Sequence, residues 1–106
     1  MTDPTFAAAI ERIARLIEDG SADSAAAEAA ACRARFPLQA EAARLHAIAL
    51  LQVGRVDAAR AALDAARALA PQSIEVLCNL GSVLLAGGDS AAAIAVLEEA
   101  SVLAPD

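Results

Sequence analysis

Lysine, tryptophan and tyrosine are absent from the 106-residue chain, histidine occurs once and cysteine twice. Each scarcity excludes a class of chemistry. A single histidine, His46, cannot build a metal site or a nucleophile–base pair without partners, and the cysteines show no Cys-x2-Cys spacing. His46 is therefore read as structural, and no cofactor or metal is expected. Cys32 and Cys78 stand 46 positions apart, and a disulfide is not expected in a chain read as cytoplasmic. Eight basic residues, all arginine, oppose fourteen acidic ones, for a formal charge of −6. Nucleic acid demands clustered cations to displace its counterions, and an anionic membrane surface makes a similar demand, so neither is an expected partner. The N-terminal segment carries Asp3 and no basic residue ahead of an apolar core, which is not the pattern of a signal peptide. No apolar run approaches the roughly 20 residues of a membrane span.

What fills the chain instead is alanine, about three residues in ten, within a hydrophobic total of 58%. Alanine is the strongest helix former, so the composition predicts an all-α protein with a shallow, closely spaced core. The length predicts one domain, residues 1–106. The alanine excess and the arginine-only basic set point to a GC-rich bacterial genome.

The organising stretch runs from Ile74 to Pro105. Leu77, Leu80, Gly81 and Leu84 repeat at helical spacing, then Gly87-Gly88-Asp89 breaks the pattern, then Ala93, Leu97 and Ala100 resume it. One apolar stripe on each helix predicts a hairpin of two packed helices. Gly81 costs its helix about 1 kcal/mol against alanine, so it is expected to mark the close approach of another backbone. A step of 34 residues carries Pro105 to Pro71 and Pro37, Gly88 to Gly54 and Gly20, Ala93 to Ala59 and Ala25, and Leu84 to Leu50 and Leu16. Four columns in register over three copies establish an internal repeat.

A 34-residue helix–turn–helix with a small residue in the first helix, Ala-x3-large in the second and a closing proline resembles the tetratricopeptide repeat. The third unit fits best, through Leu77, Leu80, Gly81, Leu84, Ala93, Leu97 and Pro105. The second fits through Ala43, His46, Ala47, Leu50, Gly54, Ala59, Leu63, Ala66 and Pro71. The first departs most, with Arg12 and Ile13 where the pattern has Leu-Gly. The resemblance implies a right-handed superhelical solenoid of three hairpins, at about residues 6–39, 40–73 and 74–106. Helices are expected over about Pro4–Asp19, Ala22–Arg35, Gln39–Val53, Val56–Leu69, Ile74–Ala86 and from Asp89 or Ser90 to near Leu103. Asp3, Ser73 and Asp89 or Ser90 are the expected caps.

No constellation points to catalysis. The Gly87-Gly88-Asp89 break lacks the strand and the Gly-Lys-Ser/Thr end of a phosphate loop. Glu98 and Glu99 are neighbours on a helix and diverge by about 100°. Cys32 is read as core and Cys78 as an accessible thiol without a base. The chain is read as a non-enzyme.

The resemblance implies instead a concave groove lined by the first helix of each hairpin, holding an extended peptide or a partner helix. Its columns select Ala7, Ile10, Glu11, Ala14 and Ile17 in the first hairpin and Glu41, Arg44, Leu45, Ile48 and Gln52 in the second. The third adds Glu75, Cys78, Asn79, Ser82 and Leu85. These mix apolar with acidic character, so the expected protein or peptide partner is apolar with basic residues. A carboxylate clamp is not expected, because lysine is absent and Ile10 and Ala14 take its columns. Asn79 is either a ligand contact or a leftover of the repeat pattern, and the glutamates are expected to behave largely as solvated surface.

Other readings stay open. Val96, Val102 and Leu103 are expected to leave apolar surface on the last helix, which has no polar cap after it. A homodimer through that C-terminal helix is one expectation, making the chain a self-association module. Another is a non-catalytic N-terminal domain that positions substrate for a larger bacterial enzyme of transferase or hydroxylase type. A self-contained adaptor is the third.

Overall fold

The computed structural model describes residues 4–105, and Asp3, the first expected cap, lies outside them. Six α-helices make up the described chain: α1 (Pro4–Glu18), α2 (Ala22–Arg35), α3 (Ala40–Gln52), α4 (Val56–Leu69), α5 (Ile74–Ala86) and α6 (Ser90–Leu103). They form three adjacent pairs, α1 with α2, α3 with α4 and α5 with α6, stacked so that α2 packs on α3 and α4 on α5. The architecture is an all-α solenoid of helix hairpins.

One of the repeated columns owes its identity to a backbone motif. Gly20, Gly54 and Gly88 hold φ of 80°, 84° and 84°, a left-handed conformation that side chains resist. In each turn the glycine N–H donates three residues back and the following N–H donates five back, to the carbonyls of Leu16, Leu50 and Leu84. That pair of bonds is a Schellman ending, which satisfies carbonyls the helix leaves open. The opposite ends differ. Ser73 accepts from the Val76 amide at 3.2 Å and Asp89 from the Ala92 amide at 3.1 Å, whereas α2, α3 and α4 have no side-chain cap.

Two clusters of buried residues form the core. The larger joins α3 to α6 through Leu50, Leu63, Leu77, Leu80, Val83, Leu84 and Val96. The smaller joins α1, α2 and α3 through Ile13, Ala29, Cys32, Ala42 and Leu45. The two aromatics close its rim, Phe6 meeting Phe36 edge to face at 5.1 Å between ring centres. The alanine column (Ala25, Ala59 and Ala93) is wholly buried, which is why nothing larger stands there.

Two packing expectations are corrected. The close neighbour of Gly81 is a side chain and not a backbone: an added Cβ would meet Leu97 at 2.7 Å. Val96, expected at the surface, is only 6% exposed, while Leu97 is 38% exposed. Ala93, Val96 and Ala100 turn toward α5, and Leu97 lies on their flank, reaching the core only because Gly81 leaves room. No helix among the described residues is long and apolar enough to cross a membrane.

Candidate functional site

Arg44 is the centre of the most organised polar cluster, between α3 and α5. Its guanidinium donates to Glu41 through two bonds, Nε to Oε1 at 2.6 Å and Nη2 to Oε2 at 2.9 Å. Glu41 sits one helical turn before Arg44, so the fork-to-fork pair is local to α3. Nη1 then crosses to α5 and donates to Oδ1 of Asn79 at 3.1 Å, and Nη2 stands 3.5 Å from Oε2 of Glu75. The hydrogen bond from Arg44 holds the Glu41 carboxyl below its usual range, and the same bond raises the already high arginine value. Two carboxylates face one guanidinium, so the cluster retains negative charge.

Arg44 also fixes which way Asn79 is turned. A guanidinium only donates, so the amide oxygen must face it, and the amide nitrogen, a donor, is directed away. Beside Asn79 lies an open cleft of about 270 Å³ between α3 and α5. Ala47, Ile48, Leu51, Leu63 and Val83 make its apolar lining, and Gln52, Asn79 and Ser82 its polar part.

Of the fifteen candidate groove residues, seven gather here: Glu41, Arg44, Glu75 and Asn79 in the ion cluster, and Ile48, Gln52 and Ser82 with Asn79 around the cleft. Ile10 and Ile17 pack half-buried on the N-terminal cluster together with Ile48. Ala14 is half-buried and Glu11 exposed on α1, apart from the Arg44 cluster. Leu45 is buried in the N-terminal core, so it supports α3 and has little surface to present. Cys78 and Leu85 are exposed on α5.

Leu51, Leu63 and Val83 were not among the candidates. They line the cleft from its floor, and the signal that could have found them is the repeat register, which sets α5 against the seam of α3 and α4. His46 is half-buried with Nδ1 3.4 Å from Nη1 of Arg33, a structural contact between α3 and α2. Burial pushes its imidazole value down, and Arg33 and Arg55 add to the effect. Cys32 is buried, which raises its thiol value, and both cysteines are free. Among the described residues no group of three or more His, Cys, Asp or Glu side chains is arranged to hold a metal ion.

Solved structures similar to this chain share its fold at low identity. SycD, a type III secretion chaperone of Yersinia enterocolitica solved with a peptide of the translocator YopD, matches with a TM-score of 0.90 at 14% identity, over 99% of this chain and 80% of that one. MamA residues 41 to the end from Desulfovibrio magneticus match with a TM-score of 0.86 at 22% identity, over 92% of this chain. The chain spans 55% of that MamA structure and 56% of another. No curated protein matches the sequence. The sequence profile of the tetratricopeptide repeat matches residues 15–74 and, overlapping them, 44–106. Repeated turns, repeated alanines and profile agree, and the chain belongs to the tetratricopeptide repeat family.

Proposed function

We propose that the protein is a non-catalytic scaffold that binds an extended peptide across α3 and α5. The observation that carries this reading is the cleft beside Asn79, lined by apolar side chains and edged by an amide whose orientation Arg44 already sets. Preorganised donors cost little ordering on binding, which is how a shallow site gains affinity. An apolar side chain of the peptide enters between Ile48, Leu51 and Val83. The Asn79 amide nitrogen donates to a peptide carbonyl, and an arginine or lysine lies against Glu41 and Glu75. Arg44 is already matched by those carboxylates, so it does not recruit an acidic ligand. The likeness to SycD, which was solved with a peptide bound, supports the class of partner.

The test is to pan a library of displayed decapeptides against the protein and measure the recovered peptides by fluorescence anisotropy. The expected consensus pairs one large apolar residue with a nearby basic one. Asn79→Ala should then weaken binding by roughly tenfold, the value of one well-placed hydrogen bond with its partner left unpaired. Recovery of acidic peptides, or equal binding by the variant, overturns the reading.

A further inference from the structure

Three arginines are half-buried: Arg33, Arg44 and Arg67. Glutamates hold two of them. Arg44 is bonded to Glu41, and Arg67 donates to both oxygens of Glu99 at 2.8 and 2.7 Å. Arg33 is the exception. Among the described residues it forms no ion pair, and its one bond runs to Nδ1 of His46.

The repeat shows which group is missing. Arg67 and Glu99 reach across the furrow between α4 and α6, whose floor is α5. One repeat earlier the furrow lies between α2 and α4 over α3, and the same two columns hold Arg33 and Ala65. A second carboxylate is lost in the same way. Arg12 of α1 pairs with Glu28 of α2, and those columns hold His46 and Ala62 in the second hairpin. Arg33 and His46 therefore meet where both acid columns have become alanine.

The surroundings are cationic throughout. No acidic residue stands three or four positions from Arg33, His46 or Arg55. The charged groups that act on the imidazole are Arg33 from α2 and Arg55 from the turn before α4, and no carboxylate opposes them. Asp57, in the first turn of α4, is exposed and is not among them. A guanidinium only donates, so Nδ1 accepts from Arg33 and the neutral ring carries its proton on Nε2. Protonating Nδ1 sets one donor against another. A carboxylate between them removes that conflict, accepting from Arg33 and from the Nδ1–H together.

We infer that the furrow between α2 and α4 binds a carboxylate from outside the chain, held by Arg33 and the imidazolium of His46 in the place a glutamate fills one repeat later. Binding takes up a proton at His46, so affinity rises as pH falls. The ligand is a small organic acid or the acidic side chain of another protein. The site shares no residue with the Asn79 cleft, so the two can be disabled separately.

His46 is the only histidine, so the ring Hε1 signal in a proton NMR spectrum reports this site alone. Its titration midpoint is followed in sodium chloride and in sodium glutarate of equal ionic strength. Glutarate should raise the midpoint by at least about half a unit, the mark of an opposite charge beside the ring. A helical alanine peptide with glutamates at i and i+4 separates the sources. A shift at lower peptide than glutarate concentration assigns the carboxylate to a protein, and the reverse order to a free acid. Ala65→Glu should fill the site from within, raising the midpoint with no acid added. Arg33→Gln should abolish the glutarate response with the circular dichroism melt retained, while Asn79→Ala leaves it unchanged. A midpoint moved by neither acid, a response that survives Arg33→Gln, or an Ala65→Glu midpoint equal to wild type overturns the inference.

Discussion

Leu97 lies so close over Gly81 that a Cβ on the glycine would stand 2.7 Å from its Cδ2. The same two columns hold Ala47 with Leu63 in the second hairpin and Ile13 with Ala29 in the first, each pair sharing one core cluster. Bulk on the first helix is matched by its lack on the second, so the hairpins close at similar spacing with different side chains.

That complementarity predicts coupling. Gly81→Ala restores about 1 kcal/mol of helix propensity, but it displaces Leu97, which is exposed enough to swing aside. The single change should fall within about 1 kcal/mol of wild type, and in a Leu97→Ala background it should stabilise by about 1 kcal/mol. Gly81→Ile should be tolerated only with Leu97→Ala, as Ile13 is tolerated with Ala29. Urea midpoints for the cycle decide it, and additive effects would remove the pairing.

Leu84 is buried in the larger cluster, and its carbonyl accepts the closing bond of the Gly88 turn. Leu84→Asp places an unpaired carboxylate there and should cost at least about 3 kcal/mol, enough to unfold the third hairpin. A circular dichroism melt unchanged from wild type would refute the packing register.

Glu41 reads in sequence as a solvated groove glutamate, for which reversal to arginine should change stability by no more than about 0.5 kcal/mol. Its two bonds to the largely buried Arg44 raise that expectation. Because Glu41 is itself partly exposed, Glu41→Gln should cost only about 1 kcal/mol at neutral pH, and Glu41→Arg more. The folded carboxyl value is depressed, so the contribution is present above the ordinary value near 4.3 and is lost as pH falls through the lower folded value. Acid titration of both proteins by fluorescence-free circular dichroism should show their stabilities converging at the acid end.

His46 acts in a different window. Burial, with Arg33 and Arg55 nearby, depresses its value when folded, so the unfolded chain takes the proton first as pH drops below about 6.5. Stability is therefore greatest above that value and declines toward the folded one. His46→Leu, the residue at the same column in the third hairpin, should flatten the thermal midpoint between pH 7.5 and 5.5. Parallel curves for the two proteins would show that His46 does not titrate on unfolding.

The helices were legible because glycine, alanine and proline mark their own positions: α2, α4 and α5 run between the residues that composition and spacing predict. The Arg44–Glu41 pair was within reach, at i, i+3, whereas its bond to Asn79 spans 35 residues and needs the stacking of hairpins. Leu45 and Val96 show the limit. Periodicity assigns a face to each side chain, but burial depends on which neighbour arrives over that face. For Leu45 it is the N-terminal core; Val96 turns inward beside α5 and leaves Leu97 on the flank.

The core is divided into two clusters that share α3, and the described helices of the first and third hairpins never touch. Heat or denaturant will therefore not strike the molecule all at once. The α1–α2 hairpin, resting on alanine, the three isoleucines of α1 and a pair of phenylalanines, can open while α3 to α6 stay assembled, and amide exchange will run as a gradient along the chain, fastest at its first hairpin.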